Sequence, residues 1–406
     1  MVVTNQYSEI FRKIEIEEGV DLFKEYHREG ITEEEKESIV KRVFDVFRSV
    51  NEVPANEWND ELVMSSLRQL NNIKSNQLLN NGEWGLNPVG VDVLNHFFPN
   101  LNDVRKNNCP MTIREAFHDD KKLERAIRKT LKYKGDEMDV YRWIRMGGVG
   151  YCVNFRPAVA RGVYELNAGP EARIYDFAGG YGSRCMGAYF AENVVEYVGV
   201  DVNTETVKYT HKEQKFLTEN FGSNTKMTTY LCGSEEFLQN HPEYKGYFDM
   251  SFSSPQYFNT EIYSSEPTQS CHKYPDYVRW VKYFYIPTIL NAIDVLKDGG
   301  IFAINIFEKL KNLKGDQNLK AVTKKIAASR GFICYKTEKM LLKTMPGKAG
   351  TDEEGNVIAR DRTTGTNYEP IWYFRHYEHL FKDGVINEET YREIDEKFKA
   401  GFYNID

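Results

Sequence analysis

The tetrapeptide Ser254-Pro255-Gln256-Tyr257 follows an apolar stretch, Phe248 to Ser253, that is predicted to be a buried strand. Proline fixes its own φ and biases the preceding residue towards an extended conformation, so Ser254 and the Pro255 carbonyl are held at a fixed angle. Two hydrogen-bond acceptors beside the ring of Tyr257 suit a flat, amino-bearing ring, such as a base extruded from a nucleic acid. Taken alone, the tetrapeptide is also typical of a strand end followed by a turn.

A glycine-rich turn lies upstream, in the segment Asp176-Phe177-Ala178-Gly179-Gly180-Tyr181-Gly182. Glycines let the backbone turn tightly around a ligand, and the helix that follows offers unpaired N–H groups. Asp201 ends the next predicted strand, where an acidic side chain can bind a ribose hydroxyl in nucleotide sites. The combination favours an adenosine-containing cofactor. The dinucleotide fingerprint G-x-G-x-x-G would need a third glycine three residues after Gly182, where this sequence has Cys185. Its absence argues against a nicotinamide cofactor.

Strands alternate with helices from about residue 150, which is typical of a mostly parallel α/β sheet. A helix is predicted from Tyr277 to Leu296, and a long loop rich in glycine, threonine and charge from Lys343 to Tyr368. The predicted strands are Ala172 to Asp176, Tyr197 to Asp201, Thr228 to Leu231, Phe248 to Ser253, Gly300 to Ile306, Tyr335 to Leu342 and Pro370 to Phe374.

The region before about residue 140 is predicted to be mostly helical. Thr32 and Glu35 fit a capping box at the start of one helix, which Pro54 closes. A second amphipathic helix is predicted around Leu62 to Ile73, followed by a loop from Asn80 to Pro88. A basic helix is predicted from Ile113 to Tyr133.

Composition limits the class of protein. The chain has 406 residues, 41% of them hydrophobic, which suffices for one large or two ordinary domains. No stretch approaches the roughly 20 consecutive apolar residues that cross a bilayer, and the N-terminus lacks the apolar core of a signal peptide, so a cytoplasmic protein is expected. The cysteines form no C-x-x-C pair and the histidines show no metal-site spacing, so reduced thiols and no catalytic metal are expected.

Charge is unevenly distributed along a chain whose net charge is −7. Residues 121 to 145 carry 9 bases against 4 acids, and residues 308 to 362 carry 13 against 7, so two basic segments lie within an acidic protein. Solvated helix faces and phosphate contacts are both compatible with this pattern.

The order of these motifs resembles that of the S-adenosylmethionine-dependent DNA amino-methyltransferases, which modify the exocyclic nitrogen of adenine or cytosine. Gly299 to Ile306 and Glu369 to Phe374 are similar to the family's fifth and seventh strands. The resemblance covers roughly residues 150 to 376 and implies a Rossmann-like sheet of seven mostly parallel strands, the last of them antiparallel, with S-adenosylmethionine as cofactor. The cofactor contacts that it implies are Asn154, Phe155, Pro157, Asp176, Phe177, Ala178, Gly180, Gly182, Asp201, Val202, Ser234 and Glu235.

The tetrapeptide resembles the family's catalytic motif, which gives Ser254, Pro255, Gln256 and Tyr257 catalytic roles. A base amino group is a poor nucleophile because its lone pair is delocalised into the ring. Ser254 Oγ and the Pro255 carbonyl are acceptors that favour a more tetrahedral nitrogen, and in-line attack depends largely on positioning. Tyr257 is expected to stack on the base. Serine at position 254 tilts the expected target towards N4 of cytosine rather than N6 of adenine.

Gln256 departs from the family pattern, which normally has a second proline here. A tolerated variant is one interpretation. An amide that contacts the edge of the target base is another, and a loss of activity is the third.

DNA is the expected substrate partner. Phosphate contacts are expected from Arg125, Arg128, Lys129 and Lys132 on the basic helix and from Lys343, Lys348, Arg360 and Arg362 on the late loop. The resemblance suggests a prokaryotic or phage setting and a role in DNA modification, such as restriction-modification.

The predicted division is a helical DNA-recognition or clamp domain over residues 1–145, a methyltransferase domain over residues 146–380 and an acidic C-terminal helix over residues 381–406. One alternative is a methyltransferase that acts on RNA, protein or a small molecule, which the sequence pI of about 5.8 favours. The other is a nucleic-acid-binding protein that keeps the fold without turnover.

Overall fold

The computed structural model describes residues 11, 14–17, 19–50, 53, 60–106, 109–133, 137–147, 149, 152–306, 318–342, 350–351, 357–358 and 368–405. The strands are β1 (Leu79–Asn80), β2 (Glu83–Trp84), β3 (Arg105–Lys106), β4 (Ala172–Asp176), β5 (Val194–Asp201), β6 (Lys226–Leu231), β7 (Phe248–Ser253), β8 (Glu261–Ile262), β9 (Leu296–Asn305), β10 (Phe332–Leu341), β11 (Gly350–Thr351), β12 (Val357–Ile358) and β13 (Tyr368–His376).

The α-helices are α1 (Leu22–Tyr26), α2 (Glu33–Val50), α3 (Asp60–Asn72), α4 (Val91–Phe97), α5 (Ile113–His118), α6 (Asp120–Lys132), α7 (Glu137–Met146), α8 (Pro157–Asn167), α9 (Ser183–Phe190), α10 (Thr204–Phe221), α11 (Phe237–Asn240), α12 (Ser270–Lys273), α13 (Tyr277–Trp280), α14 (Ile286–Asp294), α15 (Leu319–Ala328), α16 (Tyr377–Lys382) and α17 (Glu388–Lys399). Within the described residues, no helix combines the length and apolar character needed to cross a membrane.

A sheet in the order β1-β2-β10-β13-β9-β7-β4-β5-β6 forms the centre of the α/β region. The pairs from β9 through β7, β4 and β5 to β6 are parallel, whereas β13 is antiparallel to both β9 and β10. This is a Rossmann-like, mostly parallel sheet with an antiparallel last strand, and the predicted α/β fold is confirmed. The chain winds outwards from β4 in both directions, so the strand order reverses between β4 and β7.

The sheet has an extra edge hairpin, β1 and β2, where the sequence predicted a loop. Strand β2 pairs in parallel with β10 through Lys339↔Glu83 and Met340↔Trp84. The Trp84 side chain is fully buried, and its indole N–H donates to Glu338 Oε2 at 2.8 Å. Burial of the indole stabilises a hairpin that is too short to form alone.

Trp84→Ala should lower the free energy of unfolding by about 3–5 kcal/mol, because it leaves a large cavity and removes one of the hydrogen-bond donors to the buried Glu338 carboxylate. Chemical denaturation measures this change. Phe402→Ala, at a side chain that is 70% exposed, is the matched control and should change stability by less than about 0.5 kcal/mol.

The helical residues before position 145 form two packing groups rather than one. Helices α1, α2, α5, α6 and α7 enclose a core of their own. Helices α3 and α4 instead pack against the α/β region, where Leu70 and Leu94 share a core with Met186 and Tyr189. The buried guanidinium of Arg161 fastens this second group by donating to the carbonyls of Leu70 and Asn71 at the end of α3, both at 2.7 Å.

Helix boundaries follow local chemistry. The predicted capping box is confirmed, since Thr32 N donates to Glu35 Oε2 at 2.8 Å and Glu35 N to Thr32 Oγ1 at 3.2 Å. The predicted basic helix is wrong in one respect, because it divides at Asp119, whose carboxylate caps α6. The helix predicted from Tyr277 contains a π-helical turn over Val281–Tyr285, just before Pro287, which lacks an N–H.

Candidate active site

The carboxyl ends of β4 and β7 meet where the strand order reverses, the usual ligand position in open α/β sheets. Asp176 ends β4 and Ser253 ends β7. Ser253 Oγ donates to Asp176 Oδ1 at 2.7 Å and lies 3.2 Å from the Ala178 carbonyl oxygen. The residue directly before the tetrapeptide is therefore bonded to the glycine-rich turn.

Asp176 is buried and its carboxylate is used within the protein. Arg184 Nε donates to Asp176 Oδ2 at 3.0 Å, and the Tyr197 hydroxyl donates to the same oxygen at 2.7 Å. Oδ1 also accepts from Ala178 N at 3.3 Å. Asp176 thus links the turn to α9, β5 and β7 through its hydrogen bonds.

The glycine-rich turn is joined to the end of β5. Gly180 and Gly182 have φ values of 55° and 69°, which favour glycine over residues with a Cβ. Gly180 N donates to Asp201 Oδ2 at 3.0 Å, and Asn203 N donates to Oδ1 at 2.8 Å. Burial raises the pKa of the Asp201 carboxyl, and these backbone N–H groups oppose the shift. The structure therefore brings the predicted turn and the predicted ribose-binding acid together.

Four more of the predicted cofactor contacts follow the carboxyl ends of β4, β5 and β6. Phe177 is buried in the core and Val202 is partly exposed after Asp201. Ser234 Oγ lies 3.0 Å from Thr288 Oγ1, and Lys273 Nζ donates to the Glu235 carboxylate at 2.8 Å.

The segment before α8 contacts the core of β7. The Phe155 ring meets Phe252 edge-on at 5.5 Å and lies 5.7 Å from the Arg184 guanidinium. Asn154 is partly exposed, and Pro157 occupies the first turn of α8. These positions are compatible with the predicted cofactor contacts, which stay predictions.

The hydroxyl of Tyr257, in the tetrapeptide, lies among polar groups. Its hydroxyl donates to Glu369 Oε1 at 2.5 Å and lies 3.3 Å from the Asn305 carbonyl oxygen. Ser254 Oγ is 3.4 Å from the same hydroxyl. Burial, then the Glu369 charge, raise the pKa of Tyr257, so it stays protonated.

Gln256 contacts the segment after the tetrapeptide, residues 259–274, which we call the acceptor loop. Gln256 Oε1 accepts from Ser270 Oγ at 2.7 Å. Its Nε2 donates to the Glu261 carbonyl oxygen at 3.1 Å and lies 3.4 Å from Cys271 Sγ. The amide therefore braces the acceptor loop, and both of its polar atoms have partners inside the protein.

The acceptor loop reaches back to the cofactor side. Glu266 accepts hydrogen bonds at 3.2 Å from both the backbone N–H and the hydroxyl of Thr204, at the start of α10. Thr268 Oγ1 lies 3.3 Å from the Val202 carbonyl oxygen. The loop thus joins the tetrapeptide to the end of β5 and borders the cleft between them.

The predicted DNA-binding residues on α6 are partly engaged within the protein. Arg128 forms an ion pair with Glu37, with Nη2 at 2.8 Å from Oε2, and Lys129 Nζ lies 4.5 Å from the centre of the Trp143 ring. Arg125 and Lys132 are exposed. Lys343, Lys348, Arg360 and Arg362 lie outside the described residues.

Two surface cavities of the described residues lie away from this site. One, of about 560 Å³, is lined by Phe332, Phe374 and Phe402, and the other, of about 450 Å³, by Glu171 and Asp249. Both lie towards the amino end of the parallel strands. Within the described part of the chain, no group of three or more histidine, cysteine or acidic side chains is placed to hold a metal ion.

Sequence reasoning missed the residues that link the motifs. It gave no role to Ser253, Arg184 or Glu369, although Glu369 lies within the segment that resembles a seventh strand. Ser253 adjoins the tetrapeptide, which is a weak signal. Arg184 and Glu369 meet their partners only through the tertiary fold, so their spacing in the sequence gives no signal of their roles.

No protein-family model and no curated protein matches the sequence. Among solved structures, TrmN from Thermus thermophilus is 12% identical over 54% of this chain and 48% of that chain, with a TM-score of 0.34. A SAM-dependent methyltransferase from Methanosarcina mazei is 13% identical over 53% of this chain and 96% of that chain, also with a TM-score of 0.34. A branched-chain polyamine synthase mutein from Thermus thermophilus is 8% identical over 54% of this chain and 55% of that chain, again with a TM-score of 0.34. This chain spans about half the length of the TrmN chain.

Proposed function

We propose that this protein transfers a methyl group from S-adenosylmethionine to the exocyclic amino nitrogen of a nucleic-acid base, with DNA as the favoured substrate and cytosine N4 as the favoured target. The observation that carries the proposal is the bonding of Ser253 to Asp176 and Ala178. It sets the acceptors of the tetrapeptide beside a glycine-rich turn suited to an adenosine-containing cofactor.

The residues at the turn fit such a cofactor. Left-handed Gly180 and Gly182 let the backbone turn tightly at the end of β4, and Asp201 would accept hydrogen bonds from ribose hydroxyls. Glu235 Oε2 is a buried oxygen that lacks a hydrogen-bond partner among the described residues, as expected for a group that waits for a ligand donor. S-adenosylmethionine supplies an electrophilic methyl group when bound.

The tetrapeptide supplies the acceptor side of the reaction. Ser254 Oγ and the Pro255 carbonyl oxygen would accept hydrogen bonds from the amino group and orient its lone pair along the line of attack. The Tyr257 ring, fixed through its hydroxyl, would offer a face to the base. Gln256 would hold the acceptor loop over the site, which limits the entry of water.

An RNA base or a small amine is the second candidate substrate. Arg128 and Lys129 are engaged with Glu37 and Trp143, which leaves fewer cations on α6 for a DNA backbone. Incubation with methyl-labelled S-adenosylmethionine and, separately, duplex DNA, RNA, protein and free nucleosides tests the assignment. Label in DNA that falls steeply with salt supports the favoured substrate, label elsewhere replaces it, and label in no acceptor refutes the transfer reaction.

Asp201→Ala should weaken S-adenosylmethionine binding by about 10- to 100-fold, because hydrogen bonds to a charged group contribute about 1.5–3 kcal/mol. Isothermal titration calorimetry measures the affinity. Asp298→Ala is the control, since Asp298 is exposed and pairs with His379 at the other end of the sheet. Equal affinities for the three proteins would contradict the placement of the cofactor.

A further inference from the structure

Glu369 stands at the end of a series of hydrogen-bonding groups that begins at the proposed acceptor site. Tyr257 donates its hydroxyl proton to Glu369 Oε1 at 2.5 Å. The Ser254 hydroxyl lies 3.4 Å from the Tyr257 oxygen and can donate to it. Ser254 Oγ keeps lone pairs for the N–H of a bound amine. With Ser254 as the donor to Tyr257, the donors of this series are ordered from Ser254 towards Glu369.

The fold places Glu369 there through a non-local strand arrangement. Strand β13 enters between β9 and β10 in the antiparallel direction, with Ile371 opposite Asn305. The start of β13 therefore lies at the carboxyl end of β9, next to the tetrapeptide that follows β7.

The surroundings of Glu369 shift the pKa of its carboxyl group in opposing directions. Burial and the negative charge of Glu261 raise its pKa, whereas Tyr257, Arg156 and Asn305 lower it, and the result is a pKa of about 7. A carboxyl group with a pKa near neutrality can both take up and release a proton under physiological conditions.

Methylation of an amino group needs such an acceptor. As the nitrogen forms its bond to the methyl carbon, the sulfur–carbon bond breaks and its electron pair stays on sulfur. The nitrogen then carries a positive charge and one proton too many, and transfer is complete only when that proton leaves.

We propose that Glu369 takes up this proton through Ser254 and Tyr257, an inference that rests on the proposed methyl transfer. The amine proton passes to Ser254 Oγ as the serine proton passes to Tyr257 Oη and the tyrosine proton passes to Glu369. Serine and tyrosine end unchanged, and the net result is one proton moved from nitrogen to the carboxylate. Release of that proton to solvent resets the site.

Glu369→Gln tests the relay because it keeps an acceptor for Tyr257 and cannot be protonated at neutral pH. The deprotonated carboxylate is the active form, so the wild-type kcat should rise with pH through a value of about 7. In Glu369→Gln this limb should disappear and kcat at high pH should fall by about 10²-fold, with cofactor affinity unchanged. Tyr257→Phe, which keeps the ring, should lose the limb as well, and Glu369→Asp should restore it in part.

Glu261→Gln is the matched control. The substitution removes a negative charge that raises the pKa of Glu369. The rise of kcat with pH should therefore persist and move to lower pH. Infrared difference spectroscopy of the protonated carboxyl band, from about pH 5 to about pH 9, follows the same titration without turnover. A band that titrates near neutrality, moves in Glu261→Gln and is absent from Glu369→Gln supports the assignment.

The outcomes separate the two proposals. An active wild-type enzyme whose pH limb survives in Glu369→Gln would overturn the relay and leave the methyltransferase assignment intact. An active enzyme with no carboxyl band titrating near neutrality would also overturn the relay. A wild-type protein that binds the cofactor and methylates no acceptor would overturn both.

Discussion

Asp176→Ala should lower the free energy of unfolding by about 3–5 kcal/mol and abolish cofactor binding. The substitution leaves the buried Arg184 guanidinium without its carboxylate, and breaking a buried pair from one side costs about this much. It also removes the acceptor for Ser253 and Tyr197, so the turn and the tetrapeptide lose their connection. Chemical denaturation and calorimetric titration with S-adenosylmethionine measure the two effects.

Glu205→Ala is the control for this variant. Glu205 pairs with Lys208 on the exposed face of α10, and such pairs contribute about 0–1 kcal/mol. A loss of stability in Asp176→Ala no larger than in Glu205→Ala would contradict the structural role of the buried pair.

Ser254→Ala should lower kcat for methyl transfer by about 10²- to 10³-fold, the range found when one oriented hydrogen-bonding group is removed from a reaction centre. The cofactor affinity should stay the same, because the proposed role of Ser254 is a contact with the acceptor amine and not with the cofactor. Single-turnover kinetics with labelled cofactor measures the rate. Ser329→Ala, at a hydroxyl bonded to the Ile326 carbonyl oxygen far from the site, should retain the full rate. A Ser254→Ala enzyme as fast as this control would exclude the serine from the reaction.

The sequence predicted the parts of the site that depend on local signals. Strands β4 and β7 have the predicted bounds, because each is a short apolar run that ends at a turn of glycine or proline. The capping box at Thr32 and the turn at Gly180 are equally local, since a few neighbouring residues decide their conformation.

The features that the sequence did not predict depend on contacts between residues that are distant along the chain. The β1–β2 hairpin exists because Trp84 reaches Glu338 more than 250 residues later, and two-residue strands have no periodicity to detect. Glu369 meets Tyr257 only because β13 enters the sheet in the antiparallel direction.

Gln256 shows what a local comparison misses. The sequence left a tolerated variant, a base contact and a loss of activity as interpretations of this residue. In the structure its amide bonds to Ser270 and to the Glu261 carbonyl oxygen, which favours a bracing role in the acceptor loop. Gln256→Pro, assayed for rate and base preference, distinguishes a brace, whose loss slows transfer to every base alike, from a base contact, whose loss changes the preference.

Mass spectrometry of nucleosides tests directly whether the protein methylates the exocyclic amino nitrogen of a base. Wild-type protein and Ser254→Ala are each incubated with duplex DNA and S-adenosylmethionine carrying a heavy methyl group, and the DNA is then digested to nucleosides. The wild type should form heavy N4-methylcytosine, the favoured product, or heavy N6-methyladenine, and either product should be nearly absent with Ser254→Ala. Cofactor binding without a heavy methyl group on any base amino nitrogen of the DNA would contradict the proposed reaction.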